Sequence, residues 1–248
     1  MNNNTIIISM TSYPARIKYV SKVWFSILKQ KIDKNLYHCI LVLSKPEFPN
    51  REKDLPSELL MLIENNLIEL LWCEHNTRSH KKLMPTLEKY PDNPILIIDD
   101  DQLRPEGWLK IFIDDHNKWP NDILAGRIQQ REINGKFIWK PISDNERGKI
   151  IEYGRSQNGR GGTLYPPHIF TDKEFFDENL YMKYSSSSDE SWQYFWLKKH
   201  NIWCRATSNY IKDEHLVIKD AQKTALWETE NHGEKYNNIL NLLTKTFK

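Results

Sequence analysis

Cysteine is scarce in this chain, with three in 248 residues, and Cys39, Cys73 and Cys204 are too far apart for a CxxC pair. That excludes a cysteine-rich zinc site and a disulfide framework, and it predicts a reducing, cytoplasmic setting. Each cysteine lies in or beside an apolar stretch, where a free thiol serves as a small hydrophobe. Long apolar runs are absent too, and none approaches the roughly 18 residues that a membrane-spanning helix needs. The opening MNNNTIIISM lacks the charged and extended apolar regions of a secretory leader, so a soluble protein is expected. Charge of one sign is also lacking. With 35 basic and 33 acidic residues the net charge is +2, which excludes a nucleic-acid binder that works through a broad basic field. There is no internal repeat and no composition break, so one domain over 1–248 is expected.

Aromatic residues are plentiful at 12%, with nine Trp and eleven Tyr. They fill cores, and they also make flat platforms for sugar rings and bases. In the first half, short Ile/Leu/Val runs at Thr5–Met10, His38–Leu43, Ile68–Cys73 and Pro94–Asp99 have no polar alternation, as strands buried on both faces require. Between them lie segments of helical period. Val20, Val23, Trp24, Ile27 and Leu28 form one stripe, Leu59, Leu62 and Ile63 a second, and Leu83, Met84 and Leu87 a third, with Pro85 in its first turn. The order β-α-β-α-β-α-β predicts an α/β fold with a Rossmann-like, mostly parallel central sheet flanked by helices.

Beyond Asp101 a helix is expected from Glu106 to Lys118. Strands are expected at Asp122–Gln130 and Lys136–Lys140, the latter reached through an Asn134-Gly135 hairpin turn. The polar stretch Ser143–Arg160 reads as a mobile surface loop. A helix over Asp189–His200 carries Trp192, Phe195 and Trp196, and a final one carries Tyr236, Ile239, Leu240, Leu243 and Phe247. That last stripe, with lysines at 235, 245 and 248, either packs on the domain or rests on anionic lipid.

Chemistry concentrates where the parallel strands end, since ligands of open α/β sheets collect there. Asp99, Asp100 and Asp101 follow one buried strand directly. In extended chain Asp99 and Asp101 project to the same side, as two carboxylates for a hard cation, Mn²⁺ or Mg²⁺, would. The alternative is a solvated acidic turn capping the next helix. After the first strand, Thr11 and Ser12 offer hydroxyls, Tyr13 a stacking face and Arg16 a planar fork for phosphate. Alternatively Ser12 caps the following helix and Arg16 is solvated. After the third strand, Arg78, Lys81 and Lys82 stand at a helix start, where the backbone dipole favours anions, and a phosphate would relieve that conflict. Asp189 and Glu190 form a second acidic pair, open to reading as an N-cap or as a capping box from Ser187 to Glu190. The glycines at 159, 161 and 162 read as giving a loop freedom to move over a ligand, or simply as a flexible turn.

In order, TSYPARIK (Thr11–Lys18), RSHKKL (Arg78–Leu83), DDD (Asp99–Asp101), GGTLYPP (Gly161–Pro167) and DESW (Asp189–Trp192) resemble a family of bacterial GT-A glycosyltransferases of surface polysaccharide, capsule and lipopolysaccharide assembly. The resemblance spans nearly the whole chain. It implies that residues 1–101 bind a nucleotide-sugar and 102–248 a glycan or lipid-linked glycan acceptor; peripheral contact at the inner membrane face is expected only if the last helix rests on lipid. Asp99–Asp101 would be the DxD motif, Asp99 and Asp101 the ligands of Mn²⁺ or Mg²⁺, and Asp101 the direct one. Thr11, Tyr13, Arg16, Arg78, Lys82, Asp99 and Asp100 would border the donor. Asp189 would be the base, and His215 or His232 a third metal ligand. Similar sequences often carry an Asp ahead of the Arg-Ser pair, where this chain has Asn76 and Thr77. The rival readings are a sugar-activating nucleotidyltransferase, which would usually place a glycine-rich loop after the first strand, and a non-catalytic carbohydrate-binding protein.

Overall fold

A computed structural model describes residues 3–157, 161–211, 216–222 and 234–247. Its first half runs β1 (Ile6–Thr11), α1 (Ile17–Leu28), β2 (Tyr37–Ser44), α2 (Ser57–Glu64), β3 (Glu69–Cys73), α3 (Met84–Lys89) and β4 (Ile95–Ile98). The four strands are mutually parallel in the order β3-β2-β1-β4, with Ile8 level with Cys39 and Leu96. Because strand side chains alternate, Ile6, Ile8 and Met10 pack with α1 and α2 on one face. Ile7 joins Ile40, Val42, Ile95 and Ile97 on the other. Both faces are covered, which is why these strands show no polar alternation.

The second half contains α4 (Trp108–Lys118), β5 (Leu124–Ala125), β6 (Ile128–Ile133), β7 (Lys136–Trp139), β8 (Gly154–Ser156), β9 (Thr163–Tyr165), α5 (Glu178–Ser185), α6 (Asp189–Lys199), β10 (Arg205–Ala206), α7 (Lys219–Gln222) and α8 (Lys235–Thr246). The main sheet has seven strands in the order β10-β5-β9-β4-β1-β2-β3, with β9 antiparallel to both β4 and β5. The expected α/β class with a mostly parallel sheet flanked by helices therefore holds. A second, antiparallel sheet has the order β7-β6-β8.

Three expectations need correction. The single strand expected at Asp122–Gln130 is two, β5 and β6, one in each sheet. The break falls at Gly126, whose backbone lies so close to Gly161 that an added Cβ would sit 2.3 Å from the Gly161 carbonyl oxygen. The stretch expected as a loop from Ser143 holds a capped 3₁₀ turn and β8, which pairs with β6; residues 158–160 lie outside the described ones. Gly161 and Gly162 are buried. The first allows that backbone approach and the second takes φ +78°, so these two have structural work independent of loop motion. Of the two fates open to the last helix, packing on the domain is the one observed, since Ile239, Leu240 and Leu243 are buried and Phe247 packs on Trp192 and Trp196. The Asn134-Gly135 turn is as expected, with φ +50° and +76° joining β6 to β7. Among the described residues no helix is long and apolar enough to cross a membrane.

Candidate active site at the carboxyl edge of the sheet

Parallel strands end on one side, so the segments after β1, β3 and β4 meet there. Thr11 is tied to β2 through its hydroxyl, which donates to the Val42 carbonyl at 2.7 Å. Ser12 donates to Asp100 Oδ2 at 2.5 Å. Arg16 is buried, with one Nη 2.8 Å from Asp100 and 3.2 Å from Asp101, and the other donating to the Ala221 carbonyl at 2.8 Å. The fork expected to face phosphate thus grips the acidic triplet and ties α7 to it, and Gln222 adds a bond to Asp101 at 2.8 Å. Tyr13 is half-buried, its ring centre 5.9 Å from the Arg16 guanidinium.

The turn Arg78–Lys82 before α3 separates its basic residues. Arg78 is exposed at φ +52°, its N–H bonded to Asn76. Lys81 points to Glu47 and to Asn76. Lys82 turns inward, 2.6 Å from Asp99 and 3.2 Å from Asp189. The unfavourable placement of cations at a helix start is therefore relieved, for Lys82, by carboxylates.

Ser188, not Asp189, caps α6, since its hydroxyl accepts the Ser191 N–H at 3.2 Å. Both capping alternatives, at Asp189 and from Ser187 to Glu190, are thereby replaced. Asp189 lies buried in the first turn, its Oδ2 accepting from Gln193 at 3.3 Å, while Tyr165 donates to Gln193 at 2.8 Å. Glu190 pairs with Arg155 of β8 at 2.9 Å. Arg155 has no sequence signal, because a three-residue strand leaves no period to detect. Gln193 was hidden for a different reason: it sits among the aromatic residues of α6.

Burial would strip Lys82 of its proton, but Asp189 and Asp99 outweigh it and raise its pKa. Burial pushes Asp189 up, yet Lys82 and His80 win and hold it as a carboxylate. Asp100 is pushed up to about 6 by burial, against the pull of Arg16 and with the help of Asp101. Glu190 is raised by burial, opposed by Arg155 and reinforced by Asp189.

Among the described residues, no three His, Cys, Asp or Glu side chains converge as a closed metal cage. His215 and His232 lie outside the described residues, as does Gly159. Asp99 is 34% exposed in its side chain and Asp101 16%. Mg²⁺-like cations keep several waters and bind through one or two carboxylates plus substrate phosphate; Asp99 and Asp101 each offer one carboxylate, the first paired with Lys82 and the second with Arg16. Among the described residues, Asp99, Asp100, Asp101, Asp189 and Glu190 form ion pairs with Arg16, Lys82 and Arg155.

No family model matches this chain, and no curated protein matches it in sequence. Solved structures do. One of S. aureus TarS 1–349 in complex with UDP matches with TM-score 0.55 and 15% identity, over 84% of this chain and 59% of that one. The chain shares its fold with TarS. A second structure of TarS 1–349 matches over 98% of this chain and 72% of that one, with TM-score 0.54 and 14% identity. A longer TarS chain matches at TM-score 0.53 and 15% identity, over 84% and 36%. This chain thus spans less than two thirds of the TarS chain in the UDP complex.

Proposed function

We propose that this chain is a glycosyltransferase that moves a hexose from a UDP-sugar to a hydroxyl of a glycan or lipid-linked glycan in bacterial surface polysaccharide assembly. The observation that carries the reading is Lys82, buried between Asp99 and Asp189 at the carboxyl edge of the parallel strands. The fold shared with TarS, which has been crystallised with UDP, supports it. Residues 1–101 receive the donor and 102–248 the acceptor. Tyr13 stacks on the base, Thr11 borders it, and Arg78 on its exposed turn reaches the diphosphate. Arg16 and Asp100 act through each other, holding the triplet and α7 in register. Asp99 and Asp101 would hold Mn²⁺ or Mg²⁺, which would supply positive charge to the leaving diphosphate. Lys82 adds a fixed positive charge without entering solution. The bond from the sugar's anomeric carbon to phosphate breaks, the bond to the acceptor oxygen forms, and Asp189 takes the acceptor proton.

Thermal shift with UDP, GDP and CMP, each with and without Mn²⁺, tests this. Stabilisation by one nucleotide, larger with Mn²⁺, is expected, followed by nucleotide release from UDP-glucose or UDP-galactose. Stabilisation by none of them would reject the reading, and stabilisation by glycans alone would favour a non-catalytic carbohydrate-binding protein.

A further inference from the structure

Trp139 is 64% exposed, the most exposed of the large apolar side chains among the described residues. A lone exposed aromatic needs no explanation. Its row in the second sheet does. Trp139 pairs with Gln130 across β7 and β6, and Gln130 pairs with Arg155 across β6 and β8. Residues directly opposite in antiparallel strands project from the same face. Arg155 Nε donates to Gln130 Oε1 at 3.0 Å, and an Arg155 Nη reaches Glu190 at 2.9 Å. One line therefore runs from an open indole through an amide and a guanidinium to the carboxylate beside Asp189. The direction along the strands agrees. The next row inward, Phe137 and Glu132, meets Tyr194 and Lys198 further down α6, so Trp139 lies on the side of the site.

We infer that Trp139 and Gln130 form an acceptor subsite for a saccharide ring, with the ring's apolar face on the indole and a hydroxyl on the Gln130 amide nitrogen. This rests on the transferase reading and adds the acceptor's class. Gln130 Oε1 is occupied by Arg155, while its amide nitrogen has no partner among the described residues. A flat apolar surface beside an amide donor is what a pyranose requires, since its axial C–H groups and its hydroxyls point in different directions. A lipid tail would instead strand the amide. The exposed Ile133 and Ile138 belong to the opposite face of the same hairpin. From Trp139 to Arg155 is two strand spacings, about 10 Å. The ring on Trp139 is therefore a unit behind the one that reacts, and the acceptor is an oligosaccharide.

The test is a microarray of mono- and oligosaccharides with terminal glucose, galactose or N-acetylglucosamine, probed with the full chain, Trp139→Ala and Trp139→Phe. Thermal shift with UDP is run on all three. The full chain should bind oligosaccharides over monosaccharides. Trp139→Ala should lose about tenfold, the effect of one stacked aromatic, and Trp139→Phe less. The indole is exposed, so neither variant should unfold, and the UDP shift should persist. Absence of glycan binding by the full chain, or equal binding by Trp139→Ala, overturns the subsite while a UDP shift leaves the transferase reading standing. Glycan binding lost in Trp139→Ala with no nucleotide shift keeps the saccharide surface and rejects the transferase. Binding of phosphatidylglycerol vesicles in place of glycans, lost in Trp139→Ala, assigns the surface to lipid and also overturns the subsite.

Discussion

Replacing Lys82 with Met keeps most of the side chain's volume and removes its charge, which isolates what the ammonium does. In the native chain Lys82 and Asp189 are 4% and 6% exposed in their side chains, while Asp99 is 34% exposed. Without the ammonium, water can reach Asp99 but not Asp189. Breaking a buried pair by removing one partner costs about 3–5 kcal/mol. The Gln193 amide and the α6 N-terminus still face Asp189, so the lower part of that range, about 3 kcal/mol, is expected. For a chain of this size that lowers Tm by about 6–12 °C. The pH dependence has a definite sign. Lys82 holds Asp189 below its usual value, and once it is gone burial raises that pKa above the unfolded one. A group with a raised folded pKa costs stability above that pKa and regains it as pH falls through it. The gap between native chain and variant should therefore narrow from pH 8 to pH 5, read by urea unfolding with tryptophan fluorescence. Adding Asp189→Asn should restore much of the loss at pH 8, because an uncharged pair leaves no stranded carboxylate. A loss below about 1 kcal/mol at pH 8, or a gap that widens on acidification, would refute the burial argument.

Asp189→Asn should leave UDP binding intact and lower transfer by about 10²–10⁴-fold, whereas Asp101→Asn should lose the Mn²⁺-dependent part of nucleotide affinity; calorimetry and nucleotide release separate them. Because Ser188 is the cap, near-normal turnover in Asp189→Asn would leave the chain without an identified base. Gly161→Ala places a Cβ 2.3 Å from the Arg127 nitrogen and should cost about 2–3 kcal/mol by urea unfolding; an unchanged midpoint would show that this backbone crossing relaxes. At Glu69, burial would raise the pKa, but bonds from His38, Lys89 and Tyr90 lower it to about 2. A depressed pKa gives stability that is present above the unfolded value and lost as pH falls towards 2. Glu69→Gln should thus flatten the acid side of the stability curve by at most about 3 kcal/mol, and an unaltered acid slope would contradict it.

The fold's first half is legible because every strand from β1 to β4 is a continuous apolar run and every helix between them carries one stripe. Burial on both faces writes itself into composition. The second half is not, since β5, β8, β9 and β10 have two or three residues each, too few for any period. Gly126 and Gly161 explain why one apolar segment serves two sheets, yet each glycine alone reads as a turn; only their contact gives them meaning. At the site, position was legible and partnership was not. Strand ends foretell that Arg16, Lys82 and Asp99–Asp101 share an edge, but not which cation takes which carboxylate. That depends on rotamers chosen by packing after the chain has closed.

The pairing that did form has a consequence for how the two halves make one site. Lys82 comes from the turn before α3, Asp99 from the end of β4 and Asp189 from α6, so a single ammonium joins three elements, the last from the second half of the chain. Arg16 does the same with Asp100, Asp101 and the Ala221 carbonyl of α7. Ion pairs this buried add little net stability over an apolar alternative, so their worth lies in orientation. An apolar contact would hold α6 and α7 near the edge without fixing which carboxylates face inward. A charged pair at hydrogen-bond distance fixes both, leaving Asp99 and Asp101 partly open towards solvent while Asp100 is turned away and buried.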